Sequence, residues 1–201
     1  MPIQNSAEEG ACAMKKFSFA PTLTLKGRKF KGPRGWSGKP SHPPLTDIPI
    51  AAYIIAAGFD VVSTAVGDDT GWAAELWHAG TWLFIAGAVV SVFAALTGLA
   101  DARDSSEAGT QARRTINAHA GIMITVTVLA LANLAWRLSQ YNTATATPAA
   151  IAVLSVVIAA LVSVGATFGG ALVFEYGFNV ETAGDHPVWH QSEDDVFPGE
   201  D

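Results

Sequence analysis

Four long apolar stretches alternate along this chain with short segments that hold most of its charge. The first, from Ile48 to about Val66, is broken only by Asp60, and the second, about Thr81 to Ala100, carries no charge. The third, about Ile116 to Trp136, is polar only at Asn117, His119, Asn133 and a few threonines; the fourth runs from about Ala149 to Phe174. Each approaches or exceeds about twenty residues without strand-like alternation, which predicts α-helices able to cross a hydrocarbon core of about 30 Å. The fourth, roughly 39 Å long at about 1.5 Å per residue, should tilt or protrude. The expected fold is therefore all-α: a four-helix transmembrane bundle over residues 41–180. A basic segment (1–40) precedes it and an acidic tail (181–201) follows, both expected to be flexible and cytoplasmic. Buried helices of a soluble all-α protein are the competing reading.

Composition sharpens this picture. Of 201 residues, 50% are hydrophobic and 15% charged, and mean hydropathy is +0.29. Soluble domains carry nearer about 25% charged residues, so an ordinary soluble enzyme is disfavoured and disorder is excluded. The single cysteine, Cys12, excludes an intramolecular disulfide, a CxxCH haem attachment, a thiolate zinc site and an iron–sulfur cluster held by this chain alone.

Lys15, Lys16, Lys26, Arg28, Lys29, Lys31, Arg34 and Lys39 precede the first helix, and Arg103, Arg113 and Arg114 lie between the second and third. The other two connections and the tail hold no Lys or Arg, and Arg137 sits alone at the end of the third helix. By the positive-inside rule, both termini are expected on the cytoplasmic side of the cell's inner (plasma) membrane. Trp72, Trp77, Trp82 and Trp136 then gather at the outer boundary, where an aromatic belt is expected. The first forty residues lack the apolar core of a signal peptide. Their basic and aromatic residues suit either anionic lipid or a solvated topogenic tail. Nucleic acid is not an expected partner, because the net charge is −6 and no binding motif accompanies the basic run.

The predicted topology gathers His42 with Asp47, Asp101, His119 and Glu175 at the inner boundary, one group from each helix. The helical face of His119 continues through Met123, Val126, Ala130 and Asn133, so its polar stripe is expected to point into the bundle. Three chemistries are open to this cluster. His42 and His119 can serve as axial ligands of a b-type haem, with Asp47 and Asp101 orienting the far ring nitrogens. The same ligand types suit zinc, manganese or iron, or a proton relay. Alternatively, the groups only satisfy one another and close helix ends. Asp60 stands alone in the outer half of the first helix, where packing is the simpler reading and ion transport the sharper one. His78 is expected to be exposed. His186 and His190 lie four apart beside carboxylates, but Pro187 argues against a shared helical face. Gly165 and Gly169, with Gly170, form a GxxxG-type packing surface, and Gly87 and Gly98 act likewise on the second helix. Either internal packing or a homo-oligomer would use them.

These motifs, taken in order, resemble domain-of-unknown-function family 2231, a family of bacterial membrane proteins. The resemblance spans about Ser41 to Val180. It rests on His42-Pro43-Pro44-Leu45-Thr46-Asp47-Ile48-Pro49-Ile50, Asp60, Thr97-Gly98-Leu99-Ala100-Asp101, His119-Ala120, Gly169-Gly170-Ala171-Leu172-Val173 and Gly177. The Thr46-Asp47 version resembles a branch whose membrane domain often precedes a Rieske iron–sulfur domain. That resemblance implies a respiratory or electron-transfer setting, an iron–sulfur partner and support for haem. Many relatives carry a second His in place of Asp47 and a Glu or His in place of Ala171, and no Rieske ligands follow here. His42 and His119 are then the remaining axial pair.

Two functions follow as expectations. One is a redox accessory module that binds haem b and exchanges electrons with a quinone or a partner subunit. The other is a non-catalytic membrane scaffold whose polar cluster is structural. Enzymatic activity is not expected, since Cys12 lies in the tail and no serine or glycine motif suits a nucleophile or a phosphate. A carrier using Asp60 is disfavoured, because no inverted repeat or broken helix is evident.

Overall fold

A computed structural model of the chain describes residues 40–68, 70–103 and 108–178. The basic N-terminal segment with Cys12, and the acidic tail with His186 and His190, lie outside the described residues. Within them the chain forms four helices: α1 (His42–Val66), α2 (Gly71–Arg103), α3 (Gln111–Gln140) and α4 (Ala149–Phe174). All four are long and apolar enough to cross a membrane. No strand occurs among the described residues. Neighbours pack as α1 with α2, α2 with α3, α3 with α4 and α4 with α1, an up-down-up-down ring. The starts of α1 and α3 and the ends of α2 and α4 thus share one end, here called the terminal end; the other is the loop end.

Three helices begin before their apolar runs, α3 at Gln111 rather than near Ile116. Prolines fill the first turn of α1, where a missing N–H costs nothing. The α2 helix starts at Gly71 rather than near Thr81. At 33 residues it is roughly 50 Å long, well past a hydrocarbon core. The stretch read as an outer loop is therefore helical, and Trp77 is fully buried instead of lying in the aromatic belt. Trp72, Trp82 and Trp136 remain exposed. His78, expected on the surface, is half-buried: Nε2 lies 3.2 Å from the Tyr141 carbonyl and the two rings are 4.7 Å apart.

Tyr53, Ala56, Phe84, Val126, Ala130, Ile158 and Val162 form the core. Apolar side chains also cover the outside, with Phe93, Leu96, Val128, Val153 and Phe174 among the exposed ones, as a lipid-facing bundle requires. Inside, small residues set the helix spacing. A Cβ on Gly87 would stand 2.7 Å from the Tyr53 ring, and one on Gly165 would stand 2.5 Å from Met123 Sδ. The GxxxG surface of α4 therefore seats α3 within the chain. Gly170 takes no part, because the nearest atom to its added Cβ is Phe174 of its own helix, at 4.0 Å.

Candidate functional site

Two polar centres occupy opposite ends of the bundle. At the terminal end, His42 opens α1 and its Nδ1 lies 2.9 Å from the Ala94 carbonyl of α2. His119 sits on α3 with Nδ1 2.8 Å from the Gly165 carbonyl of α4. A carbonyl only accepts, so each Nδ1 carries the proton, and a neutral ring keeps its lone pair on Nε2. Glycine leaves room for both rings. A Cβ on Gly98 would come within 2.6 Å of His42 Cε1, and one on Gly169 within 3.0 Å of His119 Cε1. The ring centroids are 6.3 Å apart and the planes cross at 81°.

Both rings line a cleft of about 140 Å³. Its walls come from all four helices and are almost wholly apolar, with Met123, Ile116, Leu99 and Leu172 among them. Phe178 closes it from beyond α4, because Gly177 at φ 63° turns the chain back and Phe178 N–H bonds Leu172 O at 3.0 Å. Asp101 also lines the cleft and is buried. Asp47 and Glu175 are exposed and do not line it. The expected gathering of two histidines and three carboxylates therefore reduces to His42, His119 and Asp101. Backbone carbonyls, not carboxylates, hold the imidazoles. Among the described residues, no group of three or more His, Cys, Asp or Glu is placed to hold a metal ion.

At the loop end, Asp60 of α1 does not stand alone. It forms a fully buried ion pair with Arg137 of α3. Arg137 also donates from Nε to Asn133 Oδ1 (2.7 Å), from Nη2 to Ser155 Oγ (3.1 Å) and from Nη1 to Thr81 Oγ1 (3.3 Å). Thr147 Oγ1 donates to Asp60 Oδ1 at 3.2 Å. The guanidinium lies 4.4 Å from the Phe84 ring centroid and 5.0 Å from that of Trp77, which explains why that indole is interior. The predicted polar stripe of α3 does face inward: Val126, Ala130 and Asn133 are buried, and Arg137 extends the stripe by one turn. Gly80 lets the pair fit, since a Cβ there would lie 3.1 Å from Asp60 Oδ1.

Four apolar spans around two polar centres define a polytopic membrane protein of the four-helix type. The chain belongs to domain-of-unknown-function family 2231, described as "Predicted membrane protein (DUF2231)", whose profile matches residues 38–182. No curated protein and no solved structure matches it.

Proposed function

We propose that this protein is a membrane redox module that holds haem b between His42 and His119. One observation carries the reading. Both Nδ1–H groups are tied to carbonyls, so two Nε2 lone pairs from different helices are left for a ligand. The two ring centroids lie 6.3 Å apart, and these histidines would hold the group between them. Haem would supply four ligands of its own and take two from the protein, which agrees with two histidines lining one cleft. A bare zinc or manganese ion would need more. The apolar lining suits a porphyrin face. The cleft is partly open and its volume of about 140 Å³ is below the roughly 300 Å³ of small ligand pockets, so it would hold only part of a haem.

When bound, haem b supplies one-electron chemistry. The residues of the chain fix both ring tautomers, exclude water with Leu99, Leu172 and Phe178, and set one carboxylate, Asp101, at the cleft. A quinone, or a respiratory or iron–sulfur partner protein, would exchange the electron. The Lys and Arg distribution supports a plasma-membrane location with both termini cytoplasmic, which puts the cleft on the cytoplasmic side.

A second reading has its own support. Each imidazole already straps two helices together, a structural role that needs no ligand, and a scaffold would use it so. Asparagine separates the two, because its amide N–H can replace Nδ1–H while offering no nitrogen lone pair. The full chain, purified in detergent from haem-supplied cells, should show a Soret band that sharpens on dithionite reduction. His42→Asn and His119→Asn should keep the fold and lose that band. A colourless, folded native chain would reject haem in favour of the scaffold.

A further inference from the structure

The two polar centres are related by a spacing that repeats. Asp60 follows His42 by eighteen residues, and Arg137 follows His119 by eighteen. Eighteen residues make about five helical turns, so each histidine shares a helix face with its charged residue, roughly 27 Å away. In space His42 meets His119 and Asp60 meets Arg137, so equivalent positions of α1 and α3 face each other at both ends.

The even-numbered helices repeat as well. His42 bonds the Ala94 carbonyl and rests on Gly98, four residues on; His119 bonds the Gly165 carbonyl and rests on Gly169, again four residues on. The buried residues of α4 are Ile151, Ala152, Ser155, Ile158, Val162 and Gly165. Moved back by the 71 residues that separate Gly165 from Ala94, they fall on Gly80, Thr81, Phe84, Gly87, Ser91 and Ala94, and all six are buried. In α3, beyond His119, the buried Val126, Ala130, Asn133 and Arg137 map onto Pro49, Tyr53, Ala56 and Asp60, all buried, when moved back by the 77 residues that separate His119 from His42. Size is exchanged between the halves. Large Tyr53 sits on Gly87 and bonds Ser91 (2.9 Å), whereas small Ala130 shares the core with Ile158 and Val162.

From this register we infer that the membrane domain is one helical hairpin used twice, α1–α2 and α3–α4, about a pseudo-two-fold axis running along the bundle. The histidine cleft is then a symmetric site at the junction of the repeats. It takes a single ligand through two equivalent nitrogen lone pairs, one from each repeat. Parallel repeats of this kind place ligand sites at their interface. The ligand part of this inference rests on the haem reading; the repeat does not.

Two experiments on the full chain keep them apart. Hemin is titrated into native, His42→Asn and His119→Asn protein and followed by absorbance. A symmetric site predicts loss of the six-coordinate bis-imidazole spectrum in both variants alike. Its retention in either variant overturns the shared site, and a native chain that binds no hemin overturns the ligand reading. The second experiment exchanges the packing between repeats. Tyr53→Ala, Gly87→Ile and Ser91→Val are combined with Ala130→Tyr, Ile158→Gly and Val162→Ser. Equivalent repeats predict a transposed chain that melts above the Ala130→Tyr single variant, where a ring meets two bulky partners. A transposed chain melting at or below that variant overturns the duplication, whatever hemin does.

Discussion

The loop end and the terminal end of the bundle use the same helices for opposite purposes. Around Asp60 and Arg137, side chains from all four helices or their junctions meet, and the donors and acceptors of the ion pair are taken up by Asn133, Ser155, Thr81 and Thr147. Around His42 and His119, each ring spends one nitrogen on a neighbouring helix and keeps the other, beside a partly open apolar cleft. Buried polar groups are tolerated in lipid only when satisfied. The ion pair, with its partners in place, therefore holds the loop end, and the spare lone pairs at the terminal end are what a ligand would bind.

The sharpest way to break this contrast is at the loop end. Arg137→Ala leaves Asp60 buried without its counter-charge, and removing one partner of such a pair costs about 3–5 kcal/mol. Denaturation in mixed micelles should show that loss, together with a large fall in folded yield. A variant as stable as the native chain would mean that water reaches the pair. Next comes Gly98→Ala, whose new Cβ would overlap the His42 ring. Overpacking of this kind costs about 1–3 kcal/mol, and hemin affinity should fall with it. By contrast, Gly58→Ala and Gly121→Ala meet no atom within 4 Å and serve as controls that should melt no lower than the native chain, since alanine suits a helix interior better than glycine.

His119→Asn should cost at most about 1 kcal/mol, the worth of a single hydrogen bond, while hemin binding disappears. Stability and binding would then separate at the terminal end as they cannot at the loop end. The smallest effect belongs to Asp47→Ala. This side chain is exposed and outside the cleft, so melting should move by no more than about 0.5 kcal/mol. Hemin affinity should stay put; a clear drop would restore the carboxylate to the site.

The fold was legible because four apolar runs of membrane length admit few other arrangements. Helix ends were less so. Polar residues between Gly71 and Gly80 resemble a loop by composition, yet α2 continues through them because Trp77 and Ala73 are buried. His42 and His119 were legible as a pair from topology alone, but their backbone partners were not, since a carbonyl has no sequence signature. The partnership of Asp60 with Arg137 was missed for a different reason. Arg137 ends an apolar run and looks like an interfacial charge. The signal that could have found it was the equal interval from each histidine, a relation visible only when the chain is compared with itself.

The ion pair also bears on how the protein reaches its folded state in the cell. Asp60 enters the membrane with the first hairpin, long before the ribosome has made Arg137. Until α3 arrives, α1 carries the Asp60 carboxyl group without its Arg137 partner, a group that lipid penalises. The first hairpin is thus an incomplete product that the lipid itself disfavours. Arrival of the second hairpin ends that state, so the residue that burdens a lone first hairpin is the one that secures the finished bundle.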